Sequence, residues 1–130
     1  MEREGTLVRS IYYGRIGSEA TERLLETFGR DGSFLLRDSE TVRGAYCLCV
    51  RKAPYVHTYR LVHSAGLWCI QASGVASQRF GSVEALIENY RRTRAAAMPS
   101  LTEPLDKTQL PNSTAQDFSY MELSSSTSVQ

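Results

Sequence analysis

No apolar run in the sequence approaches the roughly 20 residues that a membrane-spanning helix needs. The opening MEREGTLVRS carries no apolar core of the kind that directs secretion. Both absences set the expectation of a cytoplasmic protein that does not insert into a membrane. Charge of one sign is equally scarce, since 15 Lys and Arg against 14 Asp and Glu leave a formal net charge of +1. That excludes the broad basic field of a nucleic-acid binder, so any site must be local. Cysteine is limited to Cys47, Cys49 and Cys69, an odd number without metal-ligand spacing. Neither a disulfide framework nor a metal centre is expected, and the three are read as reduced core residues. His57 and His63 are the two histidines, both in strand contexts, and are read as packing or surface groups. A nucleotide-binding G-x-x-x-x-G-K-[ST] loop is absent, and the positions six beyond Cys47 and Cys49 hold Ala53 and Tyr55 where a cysteine phosphatase needs Arg. No enzyme and no cofactor are therefore expected. The Asn112-Ser113-Thr114 sequon is coincidental in a cytoplasmic chain.

One stretch stands out against this background: Ser33 to Thr41, reading SFLLRDSET. The turn pair Asp31-Gly32 precedes an apolar run, Phe34-Leu35-Leu36, that is too short for a helix and suits a strand covered on both faces. Side chains alternate along a strand, so Arg37 shares a face with Leu35. A guanidinium rising from such a wall costs roughly several kcal/mol if nothing pairs with it. Asp38, Ser39, Glu40 and Thr41 follow, with hydroxyls and backbone N–H groups that can close an anion site before the planar fork. At this level two readings stand: a site for an external anion, or an ion pair with one of the chain's own carboxylates.

A chain of 130 residues holds one domain of ordinary size and a tail. Tyr12-Tyr13-Gly14-Arg15-Ile16 reads as an extended lead-in. Gly17-Ser18 offers a cap to a helix over Glu19–Phe28, whose Ala20, Leu24, Leu25 and Phe28 form one apolar stripe, closed by Gly29. Strands follow at Ser33–Asp38, Ala45–Arg51, Tyr55–Val62 and Leu67–Ala72, a meander broken at Ala53-Pro54 and turned at Ser64-Ala65-Gly66. A second helix, capped by Ser82, carries Val83, Leu86, Ile87 and Tyr90 at helical spacing and ends in Arg91, Arg92 and Arg94, read as a solvated end. Trp68 is assigned to the core. The expected class is α+β, a central antiparallel β-sheet flanked by two α-helices. From about Asp106 the composition turns to Thr, Gln, Ser, Asn and Pro, and a flexible tail is expected. Within it Asp117–Leu123 (DFSYMEL) is an acidic and apolar island around Tyr120, a candidate phosphorylation site.

Three motifs in order, YYGRI at 12–16, FLLRDSET at 34–41 and GAYCLCV at 44–50, resemble an SH2 domain. The resemblance divides the chain into an N-terminal extension over 1–10, the domain over 11–107 and a tail over 108–130. Tyr55-Val56-His57-Thr58-Tyr59-Arg60 is similar to the Tyr-x-x-Thr-Tyr-Arg strand of the SLAM-associated adaptor family. This resemblance implies a monomeric, non-catalytic adaptor that binds phosphotyrosine motifs of the type Thr/Ser-x-Tyr-x-x-Val/Ile in SLAM-family immune receptor tails and couples them to downstream signalling. The alternative is a competitive inhibitor that blocks recruitment of other SH2 proteins. Carried over residue by residue, Arg37 grips the phosphate bidentately and Ser39, Glu40 and Thr41 complete its pocket. Glu22, Tyr55, Val56, Thr58 and Arg60 face the peptide ahead of the tyrosine, which adds as a strand, while Tyr59, Ile87 and Leu101 form the apolar pocket after it. Two departures bear on mechanism. Many SH2 domains hold an Arg where Ser18 stands, so one phosphate clamp is missing. In the founding type of the adaptor family an Arg follows the Phe before the second helix and docks a Src-family kinase, whereas Gly81 follows Phe80 here. Tyr120, with Leu123 three residues beyond, is then the candidate contact for a tyrosine kinase or an SH2 effector.

Overall fold

The computed structural model describes residues 5–71, 78–92 and 99–110. The alternating apolar stretches become four antiparallel strands, β1 (Ser33–Asp38), β2 (Tyr46–Lys52), β3 (Tyr55–Ser64) and β4 (Leu67–Gln71). A fifth strand, β5 (Glu103–Pro104), runs parallel to β1 and completes the order β4-β3-β2-β1-β5. The sheet is therefore mixed rather than antiparallel throughout. A two-residue strand leaves no period to read in the sequence, and Pro104 sits on the edge, where its missing N–H is tolerated.

Each face of the sheet buries its own apolar cluster. Phe34, Leu36, Leu48, Val50 and Leu61 point to one side, under α1 (Thr6–Ile11) and α3 (Val83–Arg92). Leu35, Cys47 and Cys49 point to the other, under Ala20, Leu24 and Leu25 of α2 (Ser18–Phe28). β1 is thus covered on both faces as expected, with Phe34, Leu35 and Leu36 fully buried. Ser82 caps α3 as expected, its Oγ accepting from Ala85 N at 3.1 Å.

Gly17 and Gly29 stand at the two ends of α2 as expected, and the local detail differs. At the start of α2 the capping residue is Gly17, and no side chain caps the helix; instead the buried Thr21 hydroxyl donates to Gly17 O at 2.8 Å. Phe28 leaves the apolar stripe and is 37% exposed. Gly29 has an extended backbone (φ −103°, ψ −178°), so it is selected by space: a Cβ there would lie 2.8 Å from Leu25 O and 2.9 Å from the Ser33 Cβ.

Neither end of the described chain is a loose extension. Residues 6–11, read as a polar start, form α1, which sends Val8 and Ile11 into the core. A six-residue helix has too few turns to show a stripe. It is held from outside: Val8 N donates to Glu84 Oε1 at 3.1 Å, and a Cβ on Gly5 would collide with that same carboxylate. At the other end, Lys107–Gln109 form a 3₁₀ turn capped by Asp106, and Leu110 is buried beside Leu105. The folded region therefore runs to residue 110, past the start of the compositional shift.

Ile11 has no exposed surface, so Ile11→Ala is expected to lower stability by about 2–5 kcal/mol. Urea unfolding with tryptophan fluorescence checks this; a loss below about 0.5 kcal/mol would mean that α1 is not part of the cooperative unit.

Candidate functional site

The register of the sheet assembles a row across four strands: Arg37 lies opposite Cys47, Cys47 opposite Arg60, and Arg60 opposite Gln71. These side chains share the face that α2 covers, as do Thr58 and Leu35, which lie opposite Cys49 in the next row. Two arginines thus flank one cysteine at cross-strand spacing, with neighbouring Cβ atoms about 5 Å apart.

Arg37 is only 4% exposed. Its Nη1 donates to Asp38 O at 3.2 Å, and its Nε is buried without a hydrogen-bond partner. The ion pairs formed among the described residues, Arg23–Glu19 at 3.8 Å and Arg30–Glu103 at 3.3 Å, lie elsewhere. The adjacent carboxylate does not serve either. Asp38 points to the opposite face and accepts the Tyr12 hydroxyl at 2.7 Å, and burial together with this bond pushes the Tyr12 phenol well above its usual range. Among the described residues, the ion-pair reading of Arg37 has no partner to rest on.

Arg60 repeats the pattern one strand away. Its Nη1 donates to Gln71 Oε1 at 3.1 Å and its Nη2 to Thr41 Oγ1 at 3.1 Å, while its Nε is buried and unpartnered. Both held contacts are neutral, so they fix the fork without cancelling its charge. In the next row of the same face, burial pushes the Cys49 thiol up, and the nearby Arg37 charge only partly opposes that.

The loop after β1 departs from the expected geometry. Its amides do not all face outward, because Ser39 Oγ accepts from Thr41 N at 3.3 Å and Val42 N at 3.1 Å. Ser39, Glu40 and Thr41 line a cavity of about 570 Å³ whose other walls include Arg15, Arg43 and Tyr46. Arg37 is not in that wall; it lies on the other side of the loop, on the α2 face. Arg15 and Arg43 belong to no spacing pattern and became visible only through the loop's path.

The remaining expected peptide contacts separate into two groups. Val56, Thr58 and Arg60 lie on the Arg37 face of β3, Tyr55 is 68% exposed at its start, and Glu22 is exposed on α2. β4 pairs only with Arg60–Ser64, so among the described residues Tyr55–Thr58 pair with β2 on one side and leave their other edge open. Tyr59, Ile87 and Leu101 do come together, but inside the core, at 9%, 0% and 4% exposure. They are packing residues here rather than the walls of an open pocket. Tyr120 lies outside the described residues.

Of the residues assigned to the core, Cys47 and Cys49 are buried, whereas Trp68 and Cys69 are half-buried. Trp68 stacks on Tyr46 at 5.4 Å and on His63 at 4.6 Å, and the three cysteines are free thiols. Arg91 and Arg92 are exposed at the end of α3, as read, and the Arg91 guanidinium in addition lies 5.6 Å from the Phe34 ring centre and donates to Thr102 O at 3.3 Å. No helix among the described residues is long and apolar enough to cross a membrane.

Comparison with known proteins identifies the family of the fold. The SH2 domain family matches residues 11–90. Human "SH2 domain-containing protein 1B" is 38% identical over 99 residues, covering 75% of this chain and 75% of that protein. "Phosphatidylinositol 3,4,5-trisphosphate 5-phosphatase 1" of Xenopus laevis is 43% identical over 98 residues, which cover 74% of this chain but 10% of the phosphatase. The chain thus spans about a tenth of the length of these phosphatases, and the likeness is confined to that part. Among solved structures, the solution structure of the SH2 domain of the Monosiga brevicollis CRK/CRKL homolog superposes with a TM-score of 0.63 at 26% identity, covering 82% of this chain and 92% of that one. A family match over most of the sheet and its helices, and a relative aligned over three quarters of both chains, establish that this chain belongs to the SH2 domain family, akin to the small SLAM-associated adaptors of which SH2 domain-containing protein 1B is one.

Proposed function

We propose that the protein is a non-catalytic cytoplasmic adaptor that binds phosphotyrosine motifs of the type Thr/Ser-x-Tyr-x-x-Val/Ile in SLAM-family immune receptor tails and couples them to downstream signalling. The observation that carries this reading is the row of two guanidiniums with no carboxylate partner among the described residues. A phosphate is dianionic, offers several acceptor oxygens and suits planar five-donor forks. Arg37 supplies the deep contact, and Arg60, fixed by Gln71 and Thr41, lies close enough along the row to share it. Ser18 leaves the start of α2 without a cation, and Arg60 offsets that loss.

The peptide ahead of the phosphotyrosine then adds beside the open edge of β3 at Tyr55–Thr58, where backbone hydrogen bonds give affinity and Glu22, Thr58 and Arg60 read side chains. The apolar residue after the tyrosine is directed to the end of the sheet where Tyr59, Ile87 and Leu101 pack. The tail, by this reading, carries the output, with phosphorylated Tyr120 and Leu123 forming a docking site for a tyrosine kinase or an SH2 effector. The competing reading, a protein that only occupies receptor tyrosines and blocks other SH2 proteins, needs no tail function.

Arg37→Lys is expected to weaken binding of a phosphotyrosine peptide by at least the roughly 1.5–3 kcal/mol typical of one charged hydrogen bond, with the fold intact, because a point ammonium cannot reproduce the fork. Calorimetric titration beside circular dichroism checks it, and equal affinity for both proteins would refute the assignment. Tyr120→Phe, expressed in stimulated cells, is expected to retain receptor binding and to lose effector recruitment. Signalling that survives the substitution would favour the blocking reading.

A further inference from the structure

The chain leaves its folded part beside the strand that bears Arg37. Lys107 Nζ donates to Tyr12 O at 2.9 Å and the Tyr13 hydroxyl to Leu105 O at 2.8 Å, so residues 105–107 lie against the lead-in to α2. The lead-in is bonded in turn to β1, with Tyr13 N donating to Leu36 O and Asp38 N to Gly14 O, each at 2.8 Å. Leu110, the last described residue, is buried in one cluster with Leu35 and Cys47, on the sheet face that Arg37 shares. Tyr120 follows ten residues later. The connector at 111–116 (PNSTAQ) has six residues and spans at most about 20 Å, while a folded unit of about 100 residues has a radius of gyration of about 13 Å. Asp117–Leu123 therefore has the length to reach that face.

Charge and shape point the same way. From 111 to 130 the chain carries Asp117 and Glu122 and no Lys or Arg, and the face it departs from holds two guanidiniums that each keep a buried Nε without a partner. Beside them, among the described residues, β3 has an open edge at Tyr55–Thr58. We infer that the site has an occupant in its own chain: once Tyr120 is phosphorylated, Asp117–Leu123 docks intramolecularly, its phosphate on Arg37 and Arg60 and its backbone along that edge. The inference rests on the phosphotyrosine reading of the site and adds its regulation.

The phosphate adds roughly −1.5 to −2 charge to a stretch that is already acidic. As a ligand the tail is poorer than the proposed receptor motif, because Phe118 stands two residues before the tyrosine instead of Thr or Ser, and Leu123 three after it instead of Val or Ile. Tethering offsets the difference. A short connector holds the phosphotyrosine at an effective concentration on the order of 1 mM, which against a tail affinity on the order of 0.1 mM closes about nine-tenths of the molecules. The affinity for a receptor peptide then falls about tenfold. The coupling is reciprocal: a receptor motif that fills the site frees phosphorylated Tyr120, and an effector that takes Tyr120 opens the site. Output is thereby confined to adaptor that is bound to a receptor.

The full chain is prepared unmodified and with phosphotyrosine incorporated at position 120 during translation. The phosphorylated chain is also made with Arg37→Lys, and with about 20 Gly and Ser residues inserted after Leu110. Three quantities are measured: affinity for a Thr-x-phosphotyrosine-x-x-Val peptide, the rate at which a phosphatase removes the phosphate from Tyr120, and the sedimenting mass. The phosphorylated chain is expected to be a monomer that binds the peptide about tenfold more weakly than the unmodified chain. The insert triples the distance along the chain to Tyr120 and is expected to recover about fivefold of that loss. Arg37→Lys, or saturating peptide, is expected to raise dephosphorylation to the rate of a free tail peptide. Equal affinity of the phosphorylated and unmodified chains, an insert without effect, or protection of Tyr120 that survives Arg37→Lys would each overturn the inference. A phosphorylated chain that sediments as a dimer would overturn it too, because the tail then fills the site of a second copy. If the unmodified chain does not bind the peptide, the phosphotyrosine reading itself fails; if that chain binds and phosphorylation changes nothing, the intramolecular docking alone fails.

Discussion

A guanidinium buried against an apolar sheet without a counter-charge is the constraint on which the rest of this structure depends. Desolvating such a group costs several kcal/mol that the free protein does not recover, because Asp38 is committed to Tyr12 on the opposite face. The fold tolerates the cost at Arg37 because the strand that bears it is buried on both faces, with Phe34, Leu35 and Leu36 free of any solvent exposure. In the proposed function the cost is recovered when a phosphate arrives. Arg60 carries the same unsatisfied donor under weaker burial, which makes the row more than a single misplaced charge.

The strand that carries Arg37 is held from both ends of the chain. Tyr13 N donates to Leu36 O at 2.8 Å and Asp38 N to Gly14 O at 2.8 Å, so the lead-in runs alongside β1. From the other end, Leu105 N donates to Phe34 O at 2.9 Å, the Tyr13 hydroxyl to Leu105 O at 2.8 Å and Lys107 Nζ to Tyr12 O at 2.9 Å. These bonds join residues far apart in sequence around one strand, and they fix the backbone from which the guanidinium rises. Pre-organisation of this kind removes part of the ordering cost that a flexible site would meet on binding.

Much of this was legible in the residues. Phe34-Leu35-Leu36 announced a strand buried on both faces, and the alternation of a strand put the Arg37 guanidinium on the face of Leu35; both follow from the period of a strand. Val83, Leu86, Ile87 and Tyr90 announced α3 through their spacing. What escaped was set by contacts rather than by pattern. α1 depends on Glu84, some 76 residues from Val8 in sequence, β5 on two residues laid beside β1, and the pairing of Arg37 with Arg60 on the register of three strands. Tyr59, Ile87 and Leu101 meet as grouped, but buried in the core, since apolar spacing marks residues that meet and does not say whether they meet around a cavity or in a core. The loop amides were likewise misjudged because Ser39 satisfies them itself, which local sequence permits but does not require.

The central claim is that the buried donors of Arg37 and Arg60 wait for a phosphate. Proton–nitrogen NMR of the arginine side chains tests it most directly, following both Nε–H signals during titration with a phosphotyrosine peptide and with its unphosphorylated counterpart. The account predicts that both signals shift and sharpen together as the phosphopeptide saturates the site, and move little with the unphosphorylated peptide. Signals that stay unchanged while the phosphopeptide binds, or that already show strong hydrogen bonds in the free protein, would contradict it.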